Sequence, residues 1–132
     1  MLVQENLYSI SFELTPTYLL ARVKGKKASL TVAKSYWADI IKEATARKPE
    51  RLLIWEDFPD ALSTQETFEL VSELCQYTQF LSLRIAFLDE HISQLDRNKL
   101  GGMIASNRGF TCCIFTDLAE AEKWLMQSSK TC

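Results

Sequence analysis

A chain of 132 residues, 47% hydrophobic and 24% charged, has the length and composition of one globular domain spanning 1–132. It can bury roughly two-thirds of the surface its unfolded chain exposes, so folding requires neither disulfide nor metal. Lys and Arg number 15 against 17 Asp and Glu, a net charge of -2, which excludes nucleic acid as a main partner, because phosphate binding needs a concentrated positive surface. The basic residues Arg22, Lys24, Lys26 and Lys27 straddle Gly25 and read as a solvated turn. The opening MLVQENLYSI lacks a basic start followed by an apolar core, and no apolar run approaches the ~20 residues of a membrane helix. A cytoplasmic protein with no membrane span is the expectation.

The pattern opens with two strands. Tyr8, Ile10, Phe12 and Leu14 alternate with polar residues, and Leu19, Ala21 and Val23 alternate again after a turn containing Pro16. So short a connection predicts an antiparallel hairpin. The period then lengthens: Val32, Tyr36, Ile40 and Ala44, widened by Trp37 and Ile41, form the stripe of an amphipathic helix of about four turns. Ser29 or Thr31 caps it, and Pro49 helps to stop it.

RLLIWE (51–56) and LRIAFLD (83–89) are apolar on both faces, as strands covered on both sides must be. Between them Ser63 and Glu66 have the S-x-x-E spacing of a capping box. Phe68, Val71, Leu74, Cys75 and Thr78 mark the expected buried face of that second helix. ISQLDRNKLGGMIASNRG reads as a third helix, weakened by Gly101 and Gly102, each costing about 1 kcal/mol relative to Ala, and ended by Gly109. FTCCIF is a short strand. DLAEAEKWLMQ is a final helix, started by Asp117 and Glu120, with Leu118, Ala121, Trp124 and Leu125 as its stripe. The order β-β-α-β-α-β-α-β-α implies crossovers and a mixed, mainly parallel five-stranded sheet with four helices.

That order resembles the STAS domain of bacterial anti-sigma-factor antagonists, and more closely the small bacterial SpoIIAA-like proteins of uncharacterised role. LRIAFLD resembles the buried fourth strand of that group. IFTDLAEAEKWL resembles its terminal helix, with Phe115, Ala121, Trp124 and Leu125 at matching places. LLIWEDFPDALST resembles the third strand and loop of the true antagonists. The resemblance implies a STAS-like fold and a non-enzymatic regulatory or protein-interaction module with an unidentified protein partner. It also implies that Ser63, with Thr64 beside it, matches the serine that a partner kinase phosphorylates. Leu62 departs from that pattern where an Asp is expected, and Gln65–Glu66 where Gly-Leu is expected. The resemblance extends to lipid-transfer domains, so the alternative function is a small-molecule or lipid-binding domain with a groove between helices and sheet, taking a small apolar ligand.

Few residues offer chemistry of their own. As a cap, Ser63 contributes ~1 kcal/mol. As a phosphosite it would set negative charge at the positive end of a helix, opposed by Glu56, Asp57, Asp60 and Glu66. The cap is the preferred reading. Glu56 and Asp57, Asp89 and Glu90, and Asp117 gather at the carboxyl ends of the parallel strands, where ligands of open α/β sheets bind. An oxygen-liganded metal there is the weaker reading beside ordinary loop acids. The cysteines are Cys75, Cys112, Cys113 and Cys132. Without a C-x-x-C pair, and with His91 as the single histidine, they do not suggest zinc or another cofactor. Cys112 and Cys113 point to opposite faces of a strand and are expected to pack as small hydrophobes. Cys132 is expected to be exposed, and the thiols are not expected to form a redox couple. His91 reads as a solvated loop residue. No Ser-His-Asp ordering or glycine-rich phosphate loop accompanies it, so an enzyme is the least supported reading. Trp55, Trp37, Phe68 and Tyr77 are the candidate pocket-lining aromatics. Phe58, Leu62 and Phe80 are candidate exposed apolar residues at a homodimer contact.

Overall fold

The computed structural model describes residues 7–129 and 131–132. Its sheet has five strands: β1 (Tyr8–Leu14), β2 (Leu19–Gly25), β3 (Arg51–Asp57), β4 (Arg84–Leu88) and β5 (Thr111–Phe115). They lie side by side in chain order, with β1 antiparallel to β2 and all later pairs parallel. The helices are α1 (Leu30–Arg47), α2 (Thr64–Leu74), α3 (Leu95–Asn107) and α4 (Leu118–Leu125). This is the α/β class and element order read from the residues.

Sequential strand order has a direct consequence. Crossovers of one hand return each time to the same side of the sheet, so α1, α2 and α3 share one face. Leu52, Ile54, Ile85 and Phe87 turn toward that face and join Val32, Tyr36, Ile40 and Leu70 in the larger core. The alternate residues Leu53, Ala86, Leu88 and Cys113 turn to the other face, where Ala121, Trp124 and Leu125 of α4 cover them. Both faces are thus covered, which is why β3 and β4 read as unbroken apolar runs.

The helix ends follow local rules. Ser29 caps α1, its hydroxyl accepting from the Val32 N–H at 3.1 Å. Lys48 adopts a left-handed φ of 50° as the chain leaves α1. Asp117 caps α4, accepting from the Glu120 N–H at 3.0 Å. At the far end of α4, Arg84 donates twice to the Trp124 carbonyl, at 3.0 and 2.7 Å, and lies 3.8 Å from its ring centroid. Arg51 donates to the Leu125 carbonyl at 2.9 Å. Two cations therefore satisfy the free carbonyls of a helix C-terminus.

Four expectations are corrected. Phe68 does not lie on the buried face of α2: it is 54% exposed, and Thr67 and Leu70 are buried instead. Phe58 is not at an exposed contact but 2% exposed, and Leu62 and Phe80 pack against the larger core, which removes the motive for a dimer through these three. Cys113 packs in the core as expected but not as a free thiol, because it is bonded to Cys132. The pairing arises because the chain folds back after α4: the Trp124 indole N–H donates to the Thr131 carbonyl at 2.9 Å, and the two cysteines come to a Cα separation of 5.5 Å. Finally, His91 is not merely solvated, as its ring contacts Asp57.

Candidate functional site

The three-helix face does not close completely over the sheet. A cavity of about 160 Å³ lies between α1, α2, α3 and strands β3 to β5. Its wall is apolar: Val32, Ala33 and Trp37 from α1, Leu70, Val71 and Leu74 from α2, Ala105 from α3, and Ile85, Phe87 and Ile114 from the sheet. The glycines of α3 set its shape. A Cβ at Gly102 would come within 3.0 Å of Ile114 Cγ1, and one at Gly101 within 3.4 Å of Val71 Cγ2. At Gly102 the bare backbone lets α3 approach β5 closely, whereas Gly101 faces α2 at ordinary contact distance, so Gly102 marks packing and not a break in the helix.

One end of the cavity is polar, and strand parity explains why. Leu52, Ile54 and Glu56 occupy alternate positions of β3, so Glu56 follows two core residues onto the three-helix face. There its carboxylate accepts a hydrogen bond from the Tyr36 hydroxyl. Phe58 stacks on Tyr36 at a centroid distance of 5.7 Å and occupies the space that a side chain at Gly25 would need. The Gln94 side-chain amide is buried and donates to the Phe58 carbonyl at 2.9 Å. Gln94, Arg97 and Asn98 complete the polar end.

Electrostatics separate these groups. Burial raises the Glu56 carboxyl from its ordinary 4.5 to about 7; the Tyr36 hydrogen bond works against that rise and the negative charge of Asp89 adds to it. Burial and the Glu56 charge hold the Tyr36 hydroxyl well above its ordinary value. Burial pushes the Cys112 thiol up to about 12 and raises that of Cys75, so both are poor nucleophiles at neutral pH. His91 is raised, chiefly by its hydrogen bond to Asp57.

Asp89 acts on Glu56, but Asp57 and Asp117 are engaged elsewhere. Asp57 has the opposite parity to Glu56, and its Oδ1 lies 2.8 Å from His91 Nε2. Asp89, 1% exposed, accepts from the His91 backbone N–H at 2.9 Å and the Asn98 amide at 3.0 Å, bracing the end of β4 against α3. Asp117 is a cap. Among the described residues, no group of three His, Cys, Asp or Glu is placed to hold a metal ion.

The candidate residues are therefore divided. Trp37 and Glu56 line the cavity; Phe68 does not. Trp55 lies on the opposite face, 4.0 Å beneath the Arg22 guanidinium. Tyr77 is 39% exposed. Ser63 forms the complete capping box: its hydroxyl accepts from the Glu66 N–H at 3.1 Å, and its own N–H donates to Glu66 Oε1 at 3.0 Å. Thr64, the first residue of α2, is exposed beside it. Tyr36, Gln94 and Asn98 were not foreseen as site residues. Tyr36 carried a readable signal, a hydroxyl within an apolar helical stripe that needs a buried partner. Gln94 and Asn98 carried none, since their roles depend on a loop and helix meeting a distant strand end. No protein-family model matches the chain, and no curated protein matches it.

Proposed function

We propose that the chain is a non-enzymatic binding module of STAS-like type, and that its site is the cavity beneath α1, α2 and α3, occupied by a small, mainly apolar ligand. The single observation carrying this reading is the apolar cavity of about 160 Å³ with Glu56, Gln94, Arg97 and Asn98 among its lining residues. Convergent polar groups on an apolar wall are the usual form of a small-molecule site, and an apolar cavity of about 150 Å³ stays dry and admits benzene. Native mass spectrometry of freshly purified protein tests it. A retained small mass, released on unfolding and absent from an Ala105→Phe variant that fills the cavity, is the expected result. A clean apo mass, together with no uptake of added toluene, contradicts it.

A regulatory role through a protein partner is the second reading. It rests on the exposure of Ser63 and Thr64 at the start of α2 and on the SpoIIAA-like resemblance. Under it, Ser63→Asp keeps the cap yet loses a partner that Ser63→Ala retains. Cytoplasmic placement belongs to the same proposal. The Cys113–Cys132 bond stands in tension with it, because reducing compartments keep thiols free.

A further inference from the structure

The polar end of the cavity is chemically one-sided. Glu56 meets no cation: among the described residues no Lys, Arg or His forms a salt bridge with it. Its hydrogen bond from Tyr36 engages Oε2, leaving Oε1 without a hydrogen-bond partner among the described residues. Asp89 adds a second negative charge nearby. Arg97, the cation among the lining residues, donates to the Leu62 carbonyl at 2.6 Å. The side-chain amide of Gln94 is committed to the Phe58 carbonyl, and that of Asn98 to Asp89. Glu56 Oε1 is thus an uncommitted acceptor, on an acid lining an apolar chamber sized for one ring.

We propose that the cavity binds a compact amphipathic amine, its apolar body among the helices and its protonated nitrogen donating to Glu56. The proposal rests on the cavity being a ligand site. Charge complementarity selects the class: a half-buried carboxylate on an apolar wall lacks a cation, and an ammonium donor supplies both the missing charge and the missing hydrogen bond. An anionic ligand, such as a fatty acid or phosphate ester, would meet Glu56 and Asp89 with like charge. The raised titration of Glu56 adds a signature. An incoming ammonium favours the ionised carboxylate, so amine affinity rises as pH increases through about 7, and below that pH binding releases a proton.

Two isosteres separate the ideas. Benzylamine and ethylbenzene have the same shape and differ only in an ammonium against a methyl group. Calorimetric titration of the full chain at pH 8 should show benzylamine binding more tightly. Glu56→Gln should weaken benzylamine by about tenfold or more, the usual loss for a hydrogen bond to a charged group, and leave ethylbenzene unchanged. If Glu56→Gln does not fold, the pH series on the wild-type protein decides instead, with benzylamine affinity rising from pH 6 to pH 8 and ethylbenzene affinity flat. If ethylbenzene binds as well as benzylamine, or Glu56→Gln binds both as wild type does, the amine proposal is overturned while the cavity reading survives. If neither compound binds, both fall.

Discussion

Glu56 is the residue whose environment and sequence position disagree most, since an acid has been placed two positions beyond Ile54 on a core-facing strand. Its raised titration makes a stability forecast. Between its ordinary value of 4.5 and about 7 the folded state holds a proton that the unfolded state has lost. Stability from this group is therefore full below pH 4.5 and declines as pH rises through that window, by on the order of 3 kcal/mol. Glu56→Gln removes the dependence, so urea unfolding should show the variant gaining on wild type between pH 5 and pH 8. A constant difference would show that Glu56 titrates normally. Ser63 makes a second forecast. With both bonds of the capping box formed, Ser63→Ala should cost ~1 kcal/mol and Ser63→Asp much less. An Ser63→Ala melt matching wild type would mean that the box contributes nothing. The Ser63 cap was legible because it is written within four residues. The Glu56–Tyr36 bond was not, because it joins β3 to α1 across 20 positions.

At the scale of elements, periodicity located the five strands and the four α-helices but misjudged one phase and one end, since α2 stops at Leu74 and Thr78 is exposed beyond it in a short 3-10 helix. The expected face of α2 began at Phe68, the largest apolar residue near its start, whereas the helix buries Thr67 and Leu70. Thr67 can be buried because its hydroxyl donates to the Ser63 carbonyl at 2.9 Å, a local satisfaction that hydrophobicity alone does not reveal. Phe68 instead lies on the surface under Arg108, whose guanidinium is 5.9 Å from the ring centroid. The two glycines of α3 show the converse case, in which a low helix propensity was read correctly but its purpose was not. Their neighbours differ: Gly101→Ala meets ordinary contact at Val71, while Gly102→Ala presses on Ile114. Gly101→Ala should melt at or above wild type, gaining up to about 1 kcal/mol of helix propensity. Gly102→Ala should melt below Gly101→Ala, since overpacking offsets that gain by about 1–3 kcal/mol. Equal melting of the two would show that α3 does not press on β5 as described.

Across the whole molecule, the sequential strand order decides where function can sit. It places three helices on one face, and their imperfect closure leaves the cavity, while α4 covers the other face. Alternation and element order showed that the middle strands are covered on both faces, but not the side-by-side strand order that sets three helices on one of them. The size of the cavity was not legible either, because it depends on how three helices settle over a twisted sheet. The disulfide was also unreadable, since nothing local links Cys113 to a residue 19 positions later beyond α4. It predicts two free thiols, Cys75 and Cys112, in unfolded but unreduced protein, and four after reduction. Closing a loop of this length stabilises by about 3 kcal/mol, so reductant should lower the melting temperature. Four thiols before reduction would contradict the bond.

The central claim is that the space between α1, α2, α3 and the sheet receives a ligand. Its most direct test is a titration of isotopically labelled protein with toluene, followed by nuclear magnetic resonance. Saturable shifts should centre on Val32, Leu70, Ala105 and Ile114, which line the cavity. They should be absent at Leu53 and Ala121, which lie in the core beneath α4, and lost in Ala105→Phe. Shifts that do not saturate, or that spread equally over both faces of the sheet, would contradict the account.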